Sequence, residues 1–265
     1  MTAAHSASVA ASLAPSLAPS LAAPLAAAAK FPAAAMPRPK RFSAAEWDAR
    51  VQLAAAYRIF DRLGWTELIY NHISLRVPDE PDHFLLNPFG LHYSEVRASN
   101  LVKVDIAGNI VGHSDWPINP AGFTFHGKVH EMLPDAHCVM HLHTTPTMAV
   151  CCLDEGLSYS NFYSAQLFGK VAYHEFEGIT VHADEGARIV DSAGGKPVLL
   201  LRNHGPVTIG ATLAQAFSLM WLLNRACEVQ LATLSMGKPR KGSSERIGWP
   251  ATLSTTNPPL PVVTV

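Results

Sequence analysis

Residues 138–143 have the sequence Cys-Val-Met-His-Leu-His, a short β-prone run that carries two histidines separated by one residue. In a β-strand, alternate side chains project to the same face, so His141 and His143 are expected to lie together, about 7 Å apart along the strand. Two imidazoles at this spacing can converge on one metal ion. The pair alone leaves two interpretations open, a metal site or two hydrogen-bonded structural histidines.

A third histidine, His204, follows a buried strand predicted over 197–201 and precedes Gly205-Pro206, so it lies on a tight turn at a strand end. Functional side chains are favoured at such positions. Catalytic divalent-metal sites commonly take three protein ligands and leave one coordination position for substrate or water. We therefore predict that His204 completes a metal site with His141 and His143.

Helices and strands alternate along the chain on either side of these histidines. The first helix has a capping box formed by Ser43 and Glu46, and Gly64 ends it. Interleaving of this kind predicts an α/β layered domain, whose strand order the pattern does not give. The remaining predicted elements are helices over 44–63, 121–132, 184–192 and 213–236, strands over 68–77, 84–87, 172–173 and 179–181, and a strand–turn–strand unit over 100–111.

The two ends of the chain differ from its middle. Residues 1–40 are rich in Ala, Ser, Pro and Leu, with Ser-Leu-Ala-Pro at 12–15 and again at 16–19, and their prolines interrupt any helix. We predict a disordered extension over 1–40, a folded domain over 41–240 and a tail over 241–265. A secretory signal peptide is an alternative, although a basic n-region is missing. Translation from Met36 is another.

Composition excludes several classes of partner. The chain has 20 basic and 21 acidic residues, so no electrostatic footprint indicates nucleic acid or an anionic membrane surface. Beyond the first forty residues, the chain has no long apolar run free of proline and charge that would predict a transmembrane helix. The four cysteines show no paired spacing, which favours buried free thiols in a reducing compartment. We expect a cytoplasmic protein that binds a small-molecule substrate and neither nucleic acid nor membrane.

Over residues 45–240 the chain resembles the class II aldolase/adducin family. Four segments carry the resemblance: YNHISLR at 70–76, NPAGFTFH at 119–126, LPDA at 133–136 with VMHLH at 139–143, and LLRNHG at 200–205. The resemblance implies a three-layer α/β/α fold around a mixed sheet and a homotetramer with active sites between subunits. It also implies Zn²⁺ on His141, His143 and His204, with Mn²⁺ and Fe²⁺ as alternatives that three imidazoles also suit.

The chain departs from the sugar-phosphate aldolases of this family at the position of their catalytic glutamate. Gly122 stands there, so the base that abstracts a proton next to the substrate carbonyl is missing. Tyr70 and Pro120-Ala121 replace small hydrogen-bond donors that seat the phosphate in those enzymes. The resemblance is closer to the adducin branch and its bacterial relatives, some of which are metal-dependent decarboxylases.

Decarboxylation suits a site without that base, because loss of CO₂ leaves a carbanion or enolate without prior proton removal, and a metal stabilises the oxyanion. A proton donor is then needed. His126, four residues after Gly122 on the same predicted helix, is the first candidate, with a supporting role behind a metal ligand as the alternative. The resemblance makes Tyr163, from the neighbouring subunit, a second candidate. His130 is predicted to face solvent beside Lys128 and Glu131.

Three residues of the first motif are candidates for substrate binding. Asn71 and Ser74 match the substrate-side loop of the family. Arg76 could hold a carboxylate through its planar guanidinium, with a surface arginine as the alternative.

These features predict a divalent-metal-dependent carbon–carbon lyase, either a decarboxylase or an aldolase, for a non-phosphorylated hydroxy or aromatic carboxylic acid. One alternative is a non-catalytic interaction protein in the manner of adducin. The other is a sugar-phosphate aldolase or epimerase. Metal binding distinguishes the lyase from the interaction protein, since a scaffold need not keep all three histidines.

Overall fold

The computed structural model describes residues 37–178 and 184–237. Residues 1–36, the predicted tail 241–265 and the predicted strand 179–181 lie outside these ranges, so the proposed domain limits stay predictions. Within the described ranges the helices are α1 Ala44–Arg62, α2 Pro120–Met132, α3 Thr145–Cys151, α4 Phe162–Ala165, α5 Glu185–Ala193 and α6 Leu213–Ser235, with a 3₁₀ turn at Tyr93–Glu95. The strands are β1 His72–Val77, β2 Glu80–Leu86, β3 Val102–Asp105, β4 Cys138–His141, β5 Val171–His174, β6 Val198–Leu201 and β7 Gly205–Gly210.

The seven strands form one sheet in the order β3-β2-β1-β4-β7-β6-β5. β5 and β6 run parallel, and the other neighbours are antiparallel. The sheet is therefore mixed, as expected. β4 lies at its centre, between β1 and β7, so the strand that ends in His141 is shielded on both edges.

Helices cover both faces of the sheet. The buried side chains of each central strand therefore alternate between two cores. On β4, Cys138 and Met140 belong to a core that includes α1, α3 and α6, whereas Val139 belongs to a core with α2 and α5. The predicted three-layer α/β/α arrangement is confirmed.

The N-terminus of α1 is capped as predicted, but only half of the capping box forms. Ser43 Oγ accepts a hydrogen bond from the Glu46 N–H at 3.0 Å. The Glu46 carboxylate does not return to Ser43; it pairs with Arg50 at 2.8 Å and Lys103 at 3.1 Å. Arg50 is buried with it and Lys103 is partly buried, so the carboxylate joins α1 to β3 instead of closing the cap.

Several strand boundaries differ from the sequence expectation. β1 begins at His72 and not at residue 68, because Leu68 has a left-handed φ of 48° that interrupts an extended chain. β4 ends at His141, which leaves His143 outside the strand. Three elements, β7, α3 and α4, were not predicted. The Gly-Pro that begins β7 and the Pro146 near the start of α3 look like loop signals, and α4 is only four residues long.

The cysteines are free, as expected, but burial was predicted for all four and Cys152 is exposed. It lies at the C-terminal end of α3, where its side chain turns away from the core that holds Cys151. Among the described residues, we find no helix both long enough and apolar enough to span a bilayer.

Candidate metal centre

Three histidines from two distant segments lie together at one end of the central strands. His141 is the last residue of β4, His143 follows it in the next loop, and His204 lies in the turn between β6 and β7. One ring nitrogen from each lies within 4.8 Å of the others. We refer to His141, His143 and His204 as the three-histidine cluster.

Backbone contact between β4 and β7 brings the two segments together. His141 is paired with Val207 in the antiparallel ladder, so the turn before β7 lies beside the end of β4. Asn203 has a left-handed φ of 56° within that turn. A Cβ placed on Gly205 would lie 2.5 Å from the Leu142 carbonyl oxygen, so only glycine permits this approach. The contact sets His204 against the other two rings.

The strand argument for His141 and His143 needs a correction, although both side chains reach the cluster. His143 lies beyond the strand, so period-two alternation does not place it. The rings of His141 and His143 meet edge to face, with centroids 4.5 Å apart. The loop after β4 therefore turns His143 toward His141.

His141 and His143 each have a ring nitrogen whose lone pair is free to bind a metal. His141 Nδ1–H donates to the Pro206 carbonyl at 2.9 Å, which leaves Nε2 as the unprotonated atom. His143 Nδ1 lies 3.2 Å from Glu67 Oε2, and its Nε2 is buried without a hydrogen-bond partner. A buried polar atom without a partner is costly, and a bound ion would satisfy it. Neutral imidazoles held by a carbonyl and a carboxylate are the usual donors to zinc and related ions.

Burial keeps these imidazoles neutral. It lowers the pKa of both His143 and His204 to about 4, and the His143 charge adds to the effect on His204. Burial also holds the pKa of His141 well below its usual value, with the other two rings contributing. Since a metal binds only the unprotonated imidazole, no proton has to be displaced near neutral pH.

Glu67 orients His143, so its removal should weaken metal binding without removing a ligand. We expect Glu67→Ala to lower metal affinity about 10- to 100-fold, and Glu67→Gln to lower it less, because the amide oxygen can still accept from Nδ1–H. Competition against a chromophoric chelator measures the affinity. Glu155→Ala, at an exposed position, is the matched control. Wild-type affinity in Glu67→Ala would contradict the orienting role.

A second set of buried polar side chains extends from the cluster into the α2 side of the sheet. His72 Nδ1 lies 2.8 Å from His126 Nε2, His126 Nδ1 lies 2.7 Å from Ser74 Oγ, and Ser74 Oγ lies 2.7 Å from His130 Nε2. His130 Nδ1 ends the series 2.8 Å from the Ala136 carbonyl oxygen. We call His72, His126, Ser74 and His130 the buried histidine chain.

The carbonyl at one end fixes the direction of every hydrogen bond in this chain when its imidazoles are neutral. Ala136 can only accept, so His130 donates through Nδ1 and accepts through Nε2. The Ser74 hydroxyl therefore donates to His130 and accepts from His126 Nδ1–H. His126 Nε2 then accepts from His72 Nδ1–H, which leaves His72 Nε2 unprotonated.

Burial maintains the neutral state along the chain. It lowers the pKa of His130 to about 3, with the nearby Arg76 charge as a second cause, and holds the pKa of His126 well below its usual value. It also lowers the pKa of His72 to about 3, with smaller contributions from His143 and His204. His143 and His204 affect the pKa of His72 because His72 lies close to the three-histidine cluster.

The structure changes the interpretation of two predicted residues on α2. His126 is fully buried and uses both ring nitrogens within the chain, with His72 on its cluster side. The His72 ring therefore lies between His126 and the three-histidine cluster, where a proton donor would be expected. The solvent-facing prediction for His130 is wrong, because His130 is 1% exposed and packs against the Phe84 ring. Lys128 and Glu131 pair with each other on the outer face.

The predicted substrate-binding residues have different surroundings. Asn71 is buried, donates to the Trp65 carbonyl at 3.1 Å, and has an Oδ1 without a partner. Ser74 is fully buried, and its hydroxyl is engaged by two histidines. Arg76, four residues along β1 from His72, donates to the carbonyls of Pro81 and His130. The side chains of Ser74 and Arg76 are engaged inside the fold, and the substrate-binding role of all three residues stays a prediction.

Tyr163 lies on α4 and packs against α6. Its ring meets Trp221 edge to face at 5.8 Å, and the Arg225 guanidinium lies over it at 5.5 Å. The described chain does not bring Tyr163 to the three-histidine cluster. A role there would require a second subunit, and it stays a prediction.

Sequence reasoning missed His72 and Glu67 as parts of the site. His72 stands in the quoted motif at 70–76, two residues before Ser74, so strand alternation could have placed both on the α2 side. Glu67 lies in the turn before β1, where no sequence signal indicates a contact with the loop after β4.

Comparisons with known proteins identify the family of the chain. The family model for the class II aldolase and adducin N-terminal domain matches residues 51–231. A Caulobacter vibrioides protein named "Putative aldolase class 2 protein" is 46% identical over 198 residues, which cover 75% of this chain and 77% of that protein. Alpha-adducin of Rattus norvegicus is 43% identical over 224 residues, covering 79% of this chain but only 30% of adducin.

The fold is also found among solved structures. A crystal structure of an aldolase II superfamily protein from Pseudomonas syringae matches with a TM-score of 0.72 and 42% identity, covering 76% of this chain and 82% of that one. With a family model that spans most of the described chain and relatives of this similarity, the chain belongs to the class II aldolase and adducin family.

Proposed function

We propose that the protein is a divalent-metal-dependent carbon–carbon lyase, either a decarboxylase or an aldolase, for a non-phosphorylated hydroxy or aromatic carboxylic acid. The observation that carries the proposal is the buried His143 Nε2, which has no hydrogen-bond partner among the described residues and belongs to a ring that lies beside those of His141 and His204. A site that binds no ion would leave this atom unsatisfied.

The three-histidine cluster would hold the ion, with Zn²⁺ as the first candidate and Mn²⁺ or Fe²⁺ as alternatives. Such an ion acts as a Lewis acid toward negative charge that develops on a substrate oxygen. The chain itself supplies the orientation of the ligands. Pro206 holds His141 through its carbonyl, and Glu67 holds His143 through its carboxylate. Both contacts fix the orientation of two rings of the cluster before an ion binds.

The surroundings of Gly122 support decarboxylation over proton abstraction. No carboxylate stands at this position, and the His72 ring fills the space that a side chain there would need. Loss of CO₂ leaves an electron pair on the substrate without prior removal of a proton, so the missing base is no obstacle. Tyr163 of a neighbouring subunit is the proposed proton donor, and Asn71 is the proposed substrate contact. A homotetramer and a cytoplasmic location belong to the same proposal.

Similarity to alpha-adducin favours a second candidate, a non-catalytic interaction protein. The chain spans only 30% of adducin, so the similarity concerns one domain of a longer protein. A scaffold has no need for three histidines with oriented, unprotonated nitrogens, and this supports the lyase.

A substrate screen tests the proposal. We expect the metal-loaded protein to release CO₂ or an aldehyde from a member of a panel of hydroxy acids and aromatic carboxylates, and His141→Ala to release neither. The His113→Ala variant, altered at an exposed histidine, is the control and should retain full activity. A folded, metal-loaded protein inactive on the whole panel would favour the interaction protein.

A further inference from the structure

Gly122 of α2 lies directly against the imidazole of His72. A Cβ placed on Gly122 would be 2.8 Å from His72 Cδ2 and 3.0 Å from His72 Nε2. Carbon atoms do not approach a ring this closely without displacement, so residue 122 stays glycine while His72 keeps its position. On the α2 side, the polar group that borders the three-histidine cluster is therefore the His72 ring.

His72 is a neighbour of the cluster and not a member of it. Its ring centroid lies 5.1 Å from that of His141. The group of nitrogens that lie within 4.8 Å of one another contains His141, His143 and His204 but not His72, within the described chain. An ion held by the three would thus have His72 beside it, where a bound molecule could contact both.

The buried histidine chain fixes the orientation of His72. Its Nδ1–H donates to His126 at 2.8 Å, and this bond directs Nε2 toward the opposite side of the ring. We find no hydrogen-bond partner for Nε2 in the parts of the chain that the structure describes. His72 is also 7% exposed, whereas His126 behind it is fully buried, so only His72 can meet a ligand.

We propose that His72 is a substrate-binding residue whose Nε2 accepts a hydrogen bond from a hydroxyl group of the ligand at the three-histidine cluster. The inference rests on the proposed metal site and deepens it. It selects carboxylic acids that carry a hydroxyl next to the metal-binding group, because a fixed acceptor favours a molecule with a donor over one without. His126, Ser74 and His130 are positioning residues that hold the acceptor in place.

Two substitutions separate the acceptor from the chain behind it. In His72→Asn, the amide N–H can stand near the position of Nδ1 and keep the bond to His126, while nothing reaches the position of Nε2. In His72→Gln, the longer side chain can place an amide oxygen near the position of Nε2. The first variant removes the acceptor, and the second restores one.

Glycolate and acetate, which differ by one hydroxyl, are suitable probes on the cobalt-loaded full chain. Visible absorption of Co²⁺ follows the binding of each. For His72→Asn we expect the ratio of glycolate to acetate affinity to fall about two- to tenfold relative to wild type, the usual effect of one hydrogen bond. His72→Gln should recover part of that ratio. The ratio cancels any general weakening of the site.

The cobalt content distinguishes the possible failures. An unchanged affinity ratio in His72→Asn, at full cobalt loading, would overturn the role of His72 and leave the metal site intact. A wild-type protein that takes up no cobalt would overturn the metal site itself. If His72→Asn does not fold, His72→Gln with an affinity ratio above that of wild type would also argue against a fixed acceptor at Nε2.

Discussion

Gly205→Ala is expected to abolish metal binding at ion concentrations that saturate the wild-type protein, and to destabilise the fold. The added Cβ would meet the Leu142 carbonyl oxygen at 2.5 Å and His143 Cδ2 at 2.8 Å, both far inside contact distance. One of these atoms is backbone, so the turn before β7 must move away from the end of β4. His204 is the preceding residue and moves with it. We expect a loss of about 2 kcal/mol or more in unfolding free energy.

Metal titration and urea denaturation of the same samples measure the two effects. Gly64→Ala is the matched control, because Gly64 has a left-handed φ of 70° but open space around its Cβ position. That variant should lose about 1 kcal/mol from backbone strain while its metal affinity stays unchanged. Wild-type metal affinity in Gly205→Ala would mean that the β4–β7 contact does not set the geometry of the cluster.

Acid is expected to destabilise the metal-free protein well above the pH at which its carboxylates titrate. The pKa of His130 is lowered to about 3 in the folded chain, whereas an unfolded histidine titrates near 6.5. Below pH 6.5 the unfolded chain therefore binds more protons than the folded one, and folding weakens as the pH falls. This contribution is fully present above pH 6.5 and is lost progressively toward pH 3.

Between pH 6.5 and pH 4 the loss from His130 alone is on the order of 3 kcal/mol, since one pKa unit corresponds to 1.36 kcal/mol. His126 adds to it in the same direction. Urea denaturation at a series of pH values measures the slope. His130→Gln, whose amide can still accept from Ser74, should flatten it, and His113→Gln at an exposed position should not. Equal slopes in both variants would contradict the buried neutral state.

The fold was predictable where local pattern and burial agree. β4, β6 and the helices α1, α2, α5 and α6 follow from apolar periodicity and from end signals such as Thr212, which caps α6 by accepting from Gln215 N–H. β7 was missed because it begins with Gly-Pro, and its place in the sheet depends on pairing with β4 rather than on its own sequence. Strand pairing of this kind is a non-local property.

The sequence grouped the three histidines that the fold brings together, but it did not indicate the side chains around them. His141, His143 and His204 stand in motifs with a recognisable order, so the sequence predicted their association before any geometry was known. A spacing of four residues places His126 and His130 on one helix face, but the neighbouring charges at 128 and 131 led to the wrong prediction that His130 faces solvent. The roles of Glu67 and His72 depend on contacts across 76 and 54 residues of chain, which no local pattern records.

The metal content of the purified protein tests the central claim most directly. After exposure to Zn²⁺ and removal of excess ion, elemental analysis should find one ion per wild-type chain. His141→Ala and His204→Ala, with an unchanged far-ultraviolet circular dichroism spectrum, should hold almost none. A wild-type protein that is folded and metal-free, or alanine variants that retain a full equivalent of ion, would contradict the three-histidine metal site.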